Sequence, residues 1–561
     1  MKRIIAAFML AALALAGCST IPTSGPVVTG DQVGQNAGNQ FIRVIARPPS
    51  DGMSPSQIVT GFLEASASFD ADHAIARQYL TPEANEQWNP SLGVQAYEGA
   101  LDIKETGASL LISATKAGSI SEDGRYQVAE PGSELVAWFD VAQVNGQWRI
   151  SRAPDDLILS LSDIDRAYRT YNVFFFNPEY SMLVPDARTI PVSDSGVATT
   201  LIRRLIAGPS EWLAPAVRTG FPEGVTLNID AVLVENGVAK VDLTSNIRLA
   251  DEKAQVALCE QIVWTLKQLS EVSAVEITAA GQPLNIAGVP SPQPVESWPG
   301  VNPDGTKPIT VGYGISNGRA VKLTESSIAA VRGAAGSGSE QLSAVAVGSD
   351  EFNLAAINAD GKLLLTTIAE GSSFTPVDGL DSVSEPVIDR SNDVWVIDSA
   401  LGPQLVTKDG KSKAITIDGL PPKSNVLKLV PSLDGTRVAM ITRIKSRTNL
   451  YLGRVVSRSG QMTVEAPIRI ETSLSQADDV AWASAEDLEV LGADSAGVIQ
   501  AFSVQIPRGI VRGQGSPADP VSIAAAPGTP VLVAAADNKT YDLKAGTWIA
   551  RYSASSPTYP M

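Results

Sequence analysis

Beyond Lys307 the chain carries no amphipathic helix; short alternating apolar runs, parted by Asp-Gly, Asn-Gly or glycine-rich turns, recur as far as Arg551 with a period of roughly 40 residues. Phe352–Ile357 turns through Asp360-Gly361 into Lys362–Ile368. Val387–Asp389, Val394–Asp398 and Gln404–Thr407 repeat the plan, with Asp409-Gly410 as the turn. The most regular unit is Val426–Val430, Ser432-Leu433-Asp434-Gly435, Arg437–Ile441 and Asn449–Val456; Val480–Trp482, Leu488–Leu491 and Ile499–Ile506 follow, and Val531–Ala534 opens a last one. A small all-β module of this size buries its apolar face only against its neighbour, so the pattern predicts a β-propeller of about five or six blades over 307–551, with 552–561 as a tail. Closure is expected where an early strand, Ile309–Tyr313 or Arg319–Leu323, pairs with the last blade. Two packed β-sandwiches are the alternative. The run Gly333–Gly338 precedes no helix and follows no βα unit, so it reads as a flexible turn rather than a phosphate cradle.

The other end of the chain dictates where this body is delivered. Lys2 and Arg3 precede an uncharged apolar run, Ile4–Ala16, which is too short to span a bilayer and suits the core of an export signal over 1–17. Leu15-Ala16-Gly17-Cys18 then places a thiol at a lipoprotein cleavage site. Cleavage is expected between Gly17 and Cys18, with Cys18 becoming an S-diacylglycerol, N-acyl cysteine; palmitate is the expected fatty acid. Two acyl chains, at about 0.8 kcal/mol per buried CH₂, anchor stably where one would be marginal. The expected location is therefore the extracytoplasmic face of the cell membrane. Residues 18–40, rich in Ser, Thr, Gly, Gln and Asn, read as a flexible stalk with a typical end-to-end distance of about 25 Å.

Two mixed units are expected between stalk and propeller. In the first, over 41–160, Ser54-Pro55-Ser56-Gln57 is a capping box ahead of the stripe Ile58, Phe62 and Leu63. Ala74–Leu80 is a second helix and Thr81-Pro82 opens a third. Leu135–Val144, Asn145-Gly146 and Gln147–Ile150 form a hairpin. The second unit, over 168–282, has strands at Val173–Phe176 and Met182–Pro185, with Arg188 beyond the proline, and a helix Ala198–Ile206 stopped by Gly208-Pro209. An Asn236-Gly237 hairpin follows, then a helix carrying Leu258, Ile262, Leu266 and Leu269, and the strand Ala274–Thr278. These elements predict two helices packed on one sheet. Prolines crowd 283–306, which reads as a linker or strap.

Composition narrows the chemistry. Lys and Arg number 43 against 60 Asp and Glu, a net charge of −17 that becomes −19 once Lys2 and Arg3 leave with the signal. Such a body repels phosphate backbones and anionic headgroups, so nucleic-acid binding and polybasic membrane attachment are both disfavoured. With Cys18 lipidated only Cys259 remains, which excludes an internal disulfide. His73 is the single histidine, so a two-histidine zinc site and a hydrolase triad with its histidine after the serine are excluded. His73 itself, between Ala71-Asp72 and Ala74 and close to Asp70, reads as a solvated helix end. Asp155 with Asp156, Asp163 with Asp165, and Asp478 with Asp479 read as caps and solvated turns. No catalytic residue, cofactor-binding residue or metal ligand is assigned, and the chain is expected not to be an enzyme.

Several of these segments carry resemblances. The first unit is similar to NTF2-like or cystatin-like domains. Phe174–Phe176, Leu183–Pro185, Gly208-Pro209, Val238–Leu243 and Gln261–Leu266 resemble the GerMN domain of exported bacterial proteins. Ser-x-Asp-Gly before Arg437-Val438-Ala439 resembles the propellers of TolB-like and WD-related proteins. The order of lipobox, stalk, α+β domain, GerMN-like domain, proline strap and propeller resembles the LpqB family of actinobacterial lipoproteins. That resemblance implies a protein that binds the extracytoplasmic region of the sensor histidine kinase MtrB, in the MtrA/MtrB two-component system, and modulates cell-wall homeostasis and division. A cell-wall ligand is a further candidate partner. A wall-polysaccharide-binding or remodelling enzyme and an envelope-assembly lipoprotein stay open as other classes.

Overall fold

The computed structural model describes residues 46–561 apart from 69–70, 193–195, 326, 459 and 471–472. Gly17, Cys18, the stalk and Asp70 lie outside the described residues. The fold is multidomain: two α+β units followed by an all-β propeller.

In the first unit Ser54 caps the helix Pro55–Ser66, its hydroxyl accepting the Gln57 N–H at 3.3 Å while Gln57 Oε1 accepts the Ser54 N–H at 2.8 Å. The buried stripe Ile58, Val59, Phe62 and Leu63 packs with Leu110, Ile112, Phe139 and Ile150 of a six-stranded sheet. Each such side chain contributes about 1.5–3 kcal/mol on leaving water. Asn145 and Gly146, at φ 54° and 78°, make the two-residue turn between Glu134–Val144 and Gln147–Arg152. The helix expected over 74–80 is shorter. Asp72 and His73 both take φ 53°, and the α-turn covers only Ala74–Arg77. Beyond it the backbone is spent on the sheet, because Tyr79 O accepts the Ile150 N–H and Ile150 O accepts the Thr81 N–H, both at 2.8 Å. His73 is not a solvated helix end either. Its ring stands edge-on to Trp88 at 5.9 Å, half-buried, and burial pushes its pKa below the ordinary value.

The second unit has two sheets where one was expected. Val238–Leu243 runs parallel to Ala274–Ala279, and the crossover that a parallel pair requires is the helix Glu252–Leu266. Leu233–Glu235 takes the free edge of the first strand, while Gln282–Pro283 and Gln293–Pro294 take that of the second. The hairpin Tyr168–Phe176 and Leu183–Pro191 forms its own two-stranded sheet, with Arg188 inside it. One core holds both: Val173, Phe175 and Val184 of the hairpin join Leu201, Ile202, Leu258 and Ile262 of the helices and Val241 and Val275 of the other sheet. Buried Gln261 ties the layers together, donating from Nε2 to Phe174 O and accepting the Gly220 N–H at Oε1, each at 2.6 Å. The proline-rich 283–306 segment packs on this unit instead of swinging free: Gln293 Oε1 accepts the Trp298 indole N–H at 2.9 Å, and Trp298 O accepts that of Trp264 at 3.0 Å.

The propeller has six blades among the described residues. Their innermost strands are Ser555–Thr558, Leu342–Val347, Val387–Ile388, Asn425–Pro431, Gln476–Trp482 and Pro520–Ala524, in blades one to six. A separate apolar cluster fills each space between adjacent blades, which a pair of sandwiches would not produce. Closure differs from expectation. Residues 555–558 are not part of a tail; they pair with Gly312–Ser316 and complete blade one from the far end of the sequence. Within Gly333–Gly338, Ala334–Ser337 forms a single helical turn, because Ala335 is buried between blades one and two and Ser372 Oγ accepts the Ala334 N–H at 3.1 Å.

Candidate partner-binding faces and the propeller channel

Because successive strands of a blade are antiparallel, the turns after each innermost strand all lie at one end of the propeller and the next set of turns at the other. The first end is covered at blades three, four and five. In blade three Arg390 reaches Glu179 at 3.3 Å and Ser181 Oγ at 2.7 Å. In blade four Asp434 O accepts from Asn177 Nδ2 at 3.4 Å, and in blade five Glu486 Oε2 accepts from Asn172 Nδ2 at 2.7 Å. The strap adds Asp304 Oδ1, which accepts the Ala485 N–H at 2.7 Å.

The Ser432–Gly435 turn is what the motif required and more. Gly435 takes φ 77°, and buried Asp434 accepts from Ser432 Oγ and the Thr436 N–H, both at 2.8 Å. It also pairs with Arg437 at 2.6 Å, whose guanidinium lies over Trp482 at 5.3 Å from the ring centroid. The turn therefore braces the junction with the second unit.

Among the described residues the opposite end is uncovered. Leu401, Val498 and Val521, in blades three, five and six, are 60%, 55% and 61% exposed there, against Phe352 of blade two, 48% exposed, at the first end. On the first unit a second exposed face carries Val136 and Trp138, cross-strand partners of Ser113 and Leu111.

Between these ends runs the channel, with about 70 Å³ of free space. Met561 packs with Val430 and Trp482, and Tyr559 with Ala526 and Leu532, toward the covered end. Nearer the open mouth Lys428 pairs with Asp479 and, at 3.4 Å, with Glu385. Asp479 further accepts the N–H groups of Val480 and Ile523, both at 2.8 Å, and Ser556 Oγ donates to Glu385 at 3.3 Å. Five of the six blades share this network. Burial works against the Lys428 charge, but the two carboxylates outweigh it and hold the ammonium above its ordinary range; burial pushes Asp479 up and Lys428 opposes that.

Asp479 is thus a buried strand residue and not part of a solvated turn. Of the other acidic pairs, Asp156 accepts from Gln95 at 2.7 Å, Asp163 sits in the first turn of the helix Leu161–Ala167 and pairs with Arg166, and Asp165 pairs with Arg508 across domains. The sequence reading missed Lys428 and Glu385. The available signal was a lysine inside an otherwise apolar innermost strand, Val426–Val430. Among the described residues no group of three or more His, Cys, Asp or Glu gathers to hold a metal ion, and no helix is long and apolar enough to cross a membrane. Cys259 is buried, which raises its thiol to about 11.

Three family models match the chain: "Lipoprotein LpqB, N-terminal domain" over residues 48–165, "Sporulation and spore germination" over 172–285, and "Lipoprotein LpqB beta-propeller domain" over 318–560. A protein of Thermobifida fusca named Lipoprotein LpqB is 31% identical, covering 95% of this chain and 94% of its own. The chain belongs to the LpqB family. LpqB proteins of Streptomyces avermitilis and Mycolicibacterium smegmatis are 26% and 24% identical, each covering 88% of this chain and 87% of its own. These matches run over most of each chain.

Proposed function

We propose that this chain is a lipid-anchored, extracytoplasmic LpqB protein that binds the sensor region of an MtrB-like histidine kinase and modulates its signalling. Lipid on Cys18 confines it to the plane that holds the kinase, which raises the effective concentration of each for the other. The open propeller end is the proposed contact. The observation that carries this choice is the asymmetry of the ring: one end is occupied by the second unit and the strap, while the other presents Leu401, Val498 and Val521 to solvent. Binding rather than catalysis also suits a channel whose lysine and carboxylates are spent on one another.

The test is crosslinking in intact cells followed by identification of what is joined to the chain. A sensor kinase is expected among the products, lost when Leu401, Val498 and Val521 are each changed to Asp and reduced when Cys18→Ser releases the protein from the membrane. Recovery of transport or envelope-assembly complexes in place of any kinase would sink the proposal.

A further inference from the structure

A cleft of about 550 Å³ lies between the first unit and the outer strands and turns of blades four and five. That is the size of a small-molecule site. The edge strand Tyr126–Val128 and the turn that follows it form one wall; Pro467–Ile470 and Ile506-Pro507 form the other. Its charge runs against the rest of the molecule. In a chain of net charge −17, the cleft is lined by Lys116, Arg125 and Arg469 against one carboxylate, Glu130.

Glu130 lies 3.8 Å from Arg469. Lys116 and Arg125 have no ion-pair partner among the described residues. The Arg125 guanidinium lies 5.6 Å from the Trp212 ring centroid, and the carboxylates that act on it from further off are already committed. Asp186 holds Arg188 through two bonds of 2.7 and 2.9 Å and accepts the Ser210 N–H at 2.7 Å. Asp123 accepts from the Ser121 hydroxyl and, at 3.3 Å, from Arg125's own backbone N–H. A half-buried guanidinium left in this condition favours a carboxylate or phosphate, which it can meet with two parallel N–H donors. Ser119, Gln127 and Ser133 add polar groups beside the aromatic surface of Tyr126 and Tyr451, the mixture that suits a hydroxylated ring.

We infer that this interdomain cleft binds a small anionic sugar, with Arg125 and Lys116 holding its carboxylate or phosphate. The site joins the first unit to the propeller, so occupancy would tighten that junction. It stands apart from the kinase reading and does not depend on it.

The test uses the full chain in detergent micelles, titrated calorimetrically with glucuronate, glucose 6-phosphate and glucose. At least one anion is expected to bind, with affinity falling as salt rises, while glucose does not. Glucuronate alone would assign the carboxylate form and glucose 6-phosphate alone the phosphate form. Lys116→Gln/Arg125→Gln is expected to weaken binding by about tenfold or more, and Arg125→Lys, which keeps the charge but loses the paired donors, to weaken it less. Unfolding curves of each variant separate a lost site from a lost fold. No heat with either anion at millimolar concentration, equal binding of glucose, or undiminished binding by the folded double variant would overturn the inference.

Discussion

Asn172 Nδ2 and Glu486 Oε2 meet at 2.7 Å, joining the second unit's hairpin to blade five across 314 positions of sequence. Burial raises the Glu486 carboxyl, and the Asn172 amide lowers it again. Asn172→Ala therefore leaves a half-buried carboxylate without that donor, and a loss of about 1–3 kcal/mol is expected. A double-mutant cycle with Glu486→Gln, read by urea unfolding, should return a coupling energy of at least about 0.5 kcal/mol. Strict additivity would remove Asn172 from the brace.

Lys428 and Asp479 make a sharper case, since Asp479 is 4% exposed. Lys428→Met should destabilise by about 3–5 kcal/mol, because it strips a buried carboxylate of its counter-charge. Lys428→Met/Asp479→Leu should recover much of that loss. Thermal unfolding of both variants distinguishes a network that stabilises the ring from one that merely fills it.

Glu489, 4% exposed in blade five, is raised to about 7 by burial, with the Gln514 amide 3.2 Å away opposing. Its Oε2 and the Gln514 Oε1 both lack a hydrogen-bond partner, so a proton on Glu489 supplies a donor to a site that holds two acceptors. The folded pKa lies above the unfolded value near 4.5. Stability from this group is then complete below about 4.5 and lost as pH rises through about 7, by up to about 3 kcal/mol. Glu260, also raised to about 7 by burial, adds a loss of the same sign. The diagnostic readout is therefore the difference between Glu489→Gln and its parent: the variant should be the more stable above pH 7, with the gap closing in acid. A gap independent of pH would contradict this account.

Removing residues 555–561 should open the propeller. Gly312–Ser316 would lose its partner strand, and Tyr559 and Met561 would no longer fill the covered end. Hydrogen exchange should then rise first in blades one and six. Unchanged protection there would mean that inter-blade packing alone closes the ring.

Local patterns were legible because their physics is local. The capping box at Ser54, the Asn145-Gly146 and Asn236-Gly237 turns, the stripe Leu258, Ile262 and Leu266, and the Asp434-Gly435 turn each depend on residues a few positions apart. The shortened helix at Ala74–Arg77 was not legible, because its competitor, Ile150, stands more than 70 residues downstream. Asp479 read as solvent-facing for the same reason: nothing near it in sequence announces Lys428.

The order of residues by itself determined the local chemistry: a thiol, Cys18, after a short apolar run, alternation at period two in the C-terminal half, helical stripes upstream, and too few histidines and cysteines for several kinds of site. Only the tertiary structure decided which end of the ring the second unit covers, that the last strand returns to blade one, and that Arg125 and Lys116 line one cleft. The physical reason is distance along the chain. Hydrogen-bonding and packing preferences act over a turn or two, whereas ion pairing and desolvation depend on which remote surfaces are brought together, and a sequence states that only through the fold.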